Sequence, residues 1–237
     1  MTDFHSHILP GIDDGSDSLE TSISMLRREA EQGIRHVVAT PHFYARHMTP
    51  DAFLEKRDRA EARLRSAMGK NSGLPELSVG AEVSFFRGMS ESEVLRRLTI
   101  RKKHCILIEM PPPPWSDELY RELEAIRVRQ GMIPIVAHID RYIGPFRTYG
   151  IPQRLMQLPV LVQANAEFFL NRSTASMALR MLKAGQIHLL GSDCHNLSSR
   201  APNMGPALQR IAQKLGKDIL EEINQTELEI LGVEAPL

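Results

Sequence analysis

The chain has 237 residues, 42% apolar, 24% charged and 5% aromatic, with 29 Lys+Arg set against 29 Asp+Glu. That profile suits a globular protein and leaves no basic stripe for a nucleic-acid backbone or an anionic membrane surface. No stretch approaches the ~20 apolar residues of a membrane helix, and the first residues lack a basic-then-apolar leader, so the expectation is a cytoplasmic protein without membrane insertion. Cys105 and Cys194 are too few for a disulfide framework and read as free thiols.

In chain order, a strand over 2–5 is followed by a helical pattern on Leu19, Ile23, Leu26 and Ala30, opened by an Asp17-x-x-Glu20 cap. A strand over 35–40 leads to a charged helix over 52–68 and a turn over 71–75. Next come a strand over 77–82, a helix over 91–98 and a strand over 105–109. Met110-Pro111-Pro112-Pro113-Pro114-Trp115 can continue neither strand nor helix; it is a stiff connector or one wall of a substrate cleft. A helix over 117–129, strands over 133–138 and 160–165, a helix over 174–183, a strand over 187–193 and a helix over 207–215 complete the pattern. Seven strands alternating with helices predict parallel pairing with right-handed crossovers. The expectation is one α/β domain over 1–237, a barrel rather than an open sheet.

The chemistry clusters at the strand ends. His5 and His7, then His42, Glu82, Glu109, His138, and finally Asp193 with His195 lie at the C-terminal ends of successive strands, and Asp14 sits in the turn after the first. In a parallel barrel these ends open on one face, where barrel enzymes keep their sites. His5-x-His7 on an extended backbone points two imidazoles to one side. Alone, such a pair is as easily incidental, and a single strand-end Glu is usually a solvated carboxylate. Five histidines and four carboxylates at one level point instead to metal. Nine ligands exceed the needs of one ion, so two or three divalent ions are predicted, and an all-nitrogen-and-oxygen set suits Mn, Fe or Zn. Closely spaced ions acidify a water and grip the oxygens of a phosphoryl displacement. Arg141 and Arg200 follow His138 and His195 on the same face and fit phosphate oxygens, although either could be a surface ion-pair residue. Of the other histidines, only His47 falls where a substrate could approach.

Cys194-His-Asn-Leu-Ser-Ser-Arg200 also has the Cys-x5-Arg spacing of a thiolate phosphatase loop. It contains no glycine to aim backbone N–H groups at an anion, and its alternative reading is a small buried thiol.

His5-Ser-His7, Asp14, Thr40-Pro41-His42, Gly80-Ala-Glu82, Ile108-Glu109-Met110, Ala137-His138 and Gly191-Ser-Asp193-Cys-His195 together resemble the polymerase and histidinol phosphatase (PHP) superfamily. His5-Ser-His7-Ile-Leu-Pro-Gly-Ile-Asp-Asp14-Gly15 and Ser192-Asp193-Cys-His195-Asn196-Leu with Arg200 are similar, more closely, to its manganese-dependent bacterial tyrosine phosphatases of the CpsB/YwqE type. The resemblance implies a distorted (β/α)7 TIM-like barrel and a trinuclear metal site. It assigns His5, His7, Glu82 and Asp193 to one ion, Glu82, Glu109 and His138 to a second, and Asp14, His42 and His195 to a third. It makes Arg141 and Arg200 the phosphate-binding arginines. It also implies a phosphotyrosine-bearing partner, the tail of a tyrosine autokinase that controls capsular or extracellular polysaccharide synthesis. Two departures stand out. Relatives commonly read His-Pro-Glu-Arg-Tyr where this chain has His138-Ile139-Asp140-Arg141-Tyr142, and Cys194 replaces a small residue. The competing functions are a phosphoesterase acting on a small metabolite, such as histidinol phosphate or a sugar phosphate, and a regulatory binding module without turnover. An open cleft favours a phosphotyrosyl tail, and a closed pocket favours a metabolite.

Overall fold

Short β-branched and aliphatic runs, buried on both faces, pair in parallel throughout, as strands flanked by crossover helices do. The structure, a computed structural model, describes residues 1–100 and 104–232. Its strands are β1 (Thr2–Ser6), β2 (His36–Ala39), β3 (His42–Phe43), β4 (Glu76–Val79), β5 (Glu82–Ser84), β6 (Cys105–Glu109), β7 (Ile133–Val136), β8 (Leu161–Asn165) and β9 (Leu189–Gly191). Its helices are α1 (Leu19–Glu31), α2 (Pro50–Met68), α3 (Val94–Leu98), α4 (Asp117–Gln130), α5 (Ile151–Leu155), α6 (Ala166–Leu170), α7 (Ala175–Lys183), α8 (Met204–Leu215) and α9 (Asp218–Leu231). No helix among the described residues is long and apolar enough to cross a membrane.

The strands form two sheets, ordered β1-β2-β4 and β3-β5-β6-β7-β8-β9. The chain changes sheet just after the strand expected over 35–40 and within the one expected over 77–82, so that β2/β3 and β4/β5 each run as two halves. The first halves, β2 and β4, stop before Thr40-Pro41 and Gly80-Ala81; the second halves, β3 and β5, then pair in the other sheet with His42 beside Glu82. Backbone bonds cross the break, from Gly80 N to Ala39 O (2.9 Å) and from Glu82 N to Pro41 O (3.0 Å). The chain after β9 is tied to β1 in the same way, from Asp193 N to His5 O (2.8 Å) and from His7 N to Cys194 O (2.9 Å). The result is a curled parallel sheet with helices packed against it.

Phe4, Val38, Leu107, Ile135 and Leu189, from five different strands, form one fully buried apolar cluster. A larger cluster packs the strands against the helices through Leu26, Phe53, Leu123, Ile126 and Phe168. Several expected boundaries move. Ser18, not Asp17, caps α1 by accepting from Thr21 N at 3.1 Å. The helix expected over 91–98 is a 3-10 turn (Met89–Glu91) followed by the short α3. The strand expected over 187–193 shortens to β9, because Asp193 has a φ of 53° and leaves the extended region. The sequence reading did not find α5, α6 or α9: the first two have five residues each, and the apolar pattern of α9 is interrupted by the buried Glu227.

Candidate metal centre

The strand breaks and strand ends bring all nine expected ligands into one cluster. His5 lies in a register irregularity of β1 between Asp3 and Ser6, the kind of bulge that re-aims a side chain, and His7 lies one residue beyond the strand. Their Nε2 atoms approach to 3.2 Å. Glu82 Oε2 is 3.3 Å from His5 Nε2, 3.4 Å from His7 Nε2 and 2.9 Å from His42 Nδ1. Asp193 Oδ1 is 3.6 and 3.4 Å from the same two Nε2 atoms. His138 Nε2 is 2.7 Å from Glu82 Oε1 and 3.8 Å from Glu109 Oε1. Asp14 Oδ1 stands 3.5 Å from both His42 Nε2 and His195 Nε2. Glu82 is therefore the hub. Apart from Asp14, Glu109 and, to a small degree, His42, these side chains are buried.

Neighbouring polar groups dictate which nitrogen each ring presents. His7 Nδ1 donates to Asp13 Oδ2 at 2.8 Å, and His5 Nδ1 donates to Gln163 Oε1 at 3.2 Å. A carboxylate and an amide oxygen can only accept, so Nδ1 carries a proton in both rings and Nε2 is the nitrogen turned toward the cluster. His195 Nδ1 donates to Asp193 O at 2.9 Å, leaving its Nε2 likewise. Gln163 Oε1 also accepts from His138 N at 2.7 Å, fixing a backbone held at a φ of 31°. The chain of bonds continues from Gln163 Nε2 to Asn165 Oδ1 and from Asn165 Nδ2 to Asp193 Oδ2, each at 3.0 Å. The sequence reading missed Asp13, Gln163 and Asn165. The strand over 160–165 was the one with no strand-end ligand, and its Gln163-x-Asn165 spacing was the available signal.

The donor set fits divalent cations. Glu82 Oε2, His42 Nδ1, His138 Nδ1 and His195 Nε2 are buried atoms without a hydrogen-bond partner, although His42 Nδ1 and Glu82 Oε2 lie close together. Two imidazole lone pairs 3.2 Å apart repel one another unless a cation or proton lies between them. Three groupings bring ligand atoms within reach of common ions: His5, His7 and Asp193; His42, Glu82 and Glu109; and His7, Asp14, His42 and His195. Relative to the ligand sets implied by family resemblance, the first lacks Glu82 and the third adds His7. The second includes His42, while His138 also reaches its two carboxylates. Burial works against charge on every group, yet Glu82 and Asp193 are held well below the usual carboxylate range by the surrounding imidazoles, and by Arg141 in the case of Asp193. Burial lowers His5 and His7, but neighbouring carboxylates raise both above the usual value, His7 strongly. Burial and His7 lower His195 to about 4. Asp13, despite its burial, is held at about 2 by His7.

Arg141 and Arg200 stand at the rim, 40% and 37% exposed at the side chain, and both reach Asp193: Arg200 Nη2 lies 2.8 Å from Oδ1, and Arg141 Nη2 bonds Oδ2. Ile139 is fully buried in the 3-10 turn that carries Arg141, and Asp140 accepts from Asn165 N at 2.9 Å. His47 is exposed and lines a cavity together with Asp14 and His42. The prolines Pro111, Pro112 and Pro114 line a separate depression of about 420 Å³ with Phe85 and Arg87, so the loop forms a wall. Cys194 is fully buried, and burial pushes its thiol well above the usual range, aided by Asp3 and Glu29. The Cys-x5-Arg coincidence is therefore no thiolate loop.

A family model described as capsular polysaccharide synthesis, CpsB/CapC, matches residues 1–230. The chain is 29% identical to the tyrosine-protein phosphatase YwqE of Bacillus subtilis over 230 residues, covering 92% of this chain and 87% of that protein. It is 28% identical to the tyrosine-protein phosphatase CpsB of Streptococcus pneumoniae over 233 residues, 94% of each chain. Among solved structures it is similar to a chain from work on YwqE and CpsB, described as metal-dependent tyrosine phosphatases, with a TM-score of 0.82 at 24% identity, covering 100% of this chain and 96% of that one. An amidohydrolase from Bifidobacterium longum subsp. infantis shares the fold more distantly, with a TM-score of 0.58 at 14% identity over 98% of both chains.

Proposed function

The chain belongs to the CpsB/CapC family of capsular polysaccharide synthesis proteins, and on that premise we propose that it is a metal-dependent protein-tyrosine phosphatase. The observation that carries this reading is Glu82, which approaches His5, His7, His42 and His138 at once beneath two rim arginines. His5, His7, Asp14, His42, Glu82, Glu109, His138, Asp193 and His195 would hold two or three divalent ions, manganese first and iron or zinc as alternatives. When bound, such ions supply an acidified water and neutralise phosphate charge.

The chain's own residues do the rest. Asp13 and Gln163 orient the imidazoles, and the strands hold the carboxylates at a fixed spacing. Arg141 and Arg200 offer planar N–H pairs to the phosphate oxygens, over which the transition-state charge is spread. A tyrosine leaving group, with a pKa near ~10, departs without a dedicated acid. The exposed arginines keep the mouth open to a phosphotyrosyl tail, which favours a protein substrate over an enclosed metabolite.

Under this proposal the two sheets are one distorted (β/α)7 barrel in a single domain over 1–237, in which the split pairs β2/β3 and β4/β5 are one stave each. Backbone bonds from the end of β9 to β1 support that closure. The partner would be a tyrosine autokinase of the polysaccharide machinery and the location the cytoplasm. The test compares turnover of a tyrosine-phosphorylated peptide, a phosphoserine peptide, histidinol phosphate and a sugar phosphate by manganese-loaded protein. The expected result is the highest kcat/KM for the phosphotyrosyl peptide. A higher value for either metabolite would replace the proposal with a small-molecule phosphoesterase.

A further inference from the structure

Beside the ligand cluster lies a cavity of about 310 Å³ that the phosphate chemistry does not use. His42, Asp14 and the carboxylate of Asp13 form the wall it shares with the metal centre, and Ile12, Tyr44, His47 and Met48 line the remainder. Beneath them the buried Phe43 and Phe53, whose ring centroids are 5.1 Å apart, make a rigid floor. The Tyr44 ring stacks on the ligand His42 at 5.2 Å, with 28° between the planes, and its other neighbour is His47 at 5.6 Å. The volume of about 310 Å³ sits at the low end of small-molecule pockets, roughly 300–1,000 Å³, and accommodates an aromatic ring. Apart from the shared wall and His47, its lining is apolar, aromatic or thioether, surfaces that attract an aromatic ring.

We propose that this cavity is the subsite for the aromatic ring of the substrate, so that the phosphate of a phosphotyrosine lies over the metal ligands while its phenyl ring packs among Tyr44, His47 and Met48. The inference rests on the phosphotyrosine reading and adds a source of selectivity to it. A phosphoserine or a short alkyl phosphate reaches the same ligands but leaves the cavity empty. Selectivity for an aryl ester then resides in the loop between β3 and α2, outside the ligand set.

The test is calorimetric binding of phenylphosphonate and methylphosphonate, two non-hydrolysable probes, to manganese-loaded protein. Parent protein is expected to bind phenylphosphonate roughly 10-fold more tightly, the scale of one or two good aromatic contacts. That preference should shrink to within about 3-fold in Tyr44→Ala and in Met48→Ala, with methylphosphonate affinity unchanged in Met48→Ala. Met48 is not among the ligands and forms no part of the cluster, so its variant separates loss of the ring site from disturbance of His42. No phenyl preference in parent protein, or a preference that survives in both variants, would overturn the proposal. Turnover of phosphotyrosyl peptide without a phenyl preference would defeat the ring site alone. Binding of methylphosphonate without turnover of that peptide would defeat the phosphotyrosine reading itself.

Discussion

Asp13 is the residue on which the geometry of His7 depends. Its carboxylate accepts from His7 Nδ1, His42 N and Gly15 N, so one side chain fixes a ligand's tautomer and anchors the loop that carries Asp14. Asp13→Ala is expected to weaken manganese binding roughly 10- to 100-fold, the usual cost of losing an orienting partner, as read by metal titration. Unchanged affinity would mean that His7 is held by packing alone. Cys194→Ser tests the opposite kind of residue. The thiol is buried and kept protonated, so turnover of a phosphotyrosyl peptide should stay within about 2-fold of the parent. At this scale the convergence of the nine side chains was legible in the sequence, because strand ends in a parallel sheet open on one face. The sequence showed their supports poorly. Asp13 and Asp14 are chemically identical neighbours, and only the fold decides that one turns toward His7 Nδ1 while the other stays exposed beside His42 and His195.

Two element-level devices build the site, and both use glycine where backbones crowd. A Cβ on Gly191 at the end of β9 would lie 2.6 Å from His5 Cβ and 2.9 Å from His5 N, so β9 approaches β1 this closely only with hydrogen at that position. Gly191→Ala is expected to cost about 1–3 kcal/mol, as overpacking does, and to lower metal affinity by shifting His5. Thermal unfolding and metal titration check the two effects, and a variant matching the parent in both would show that the sheet yields freely. The second device is the paired break at Thr40-Pro41 and Gly80-Ala81, which sets His42 beside Glu82. Strand–helix alternation was legible from periodicity, since parallel strands are short and apolar. The change of sheet was not, because Pro41 and Gly80 mark an interruption but only hydrogen-bond partners reveal that β3 and β5 pair in the other sheet.

Over the whole molecule, buried charge is placed in two different environments. At the candidate metal centre, Glu82 and Asp193 are surrounded by imidazoles and guanidiniums and stay ionised. On the opposite flank, Glu227 of α9 is fully buried with one oxygen unpartnered; burial raises it from 4.5 to about 8, although Thr2 N donates to its other oxygen at 3.0 Å. The folded protein therefore holds a proton that the unfolded chain releases between about pH 4.5 and 8. Its stabilising contribution is complete below that window and is lost as pH rises through it, by about 1.4 kcal/mol per unit. Glu227→Gln, which has no proton to lose, should gain in relative stability from pH 5 to pH 8 in denaturant unfolding. A constant difference would place the ordinary carboxylate value on Glu227.

The central claim is that the nine converging side chains act through metal. It is tested most directly by stripping the protein with a chelator and measuring hydrolysis of a tyrosine-phosphorylated peptide before and after adding Mn²⁺, with His5→Ala in parallel. The expected result is loss of turnover on stripping, recovery on re-addition, and no recovery in His5→Ala. Full turnover by the stripped protein, unaffected by His5→Ala, would contradict it.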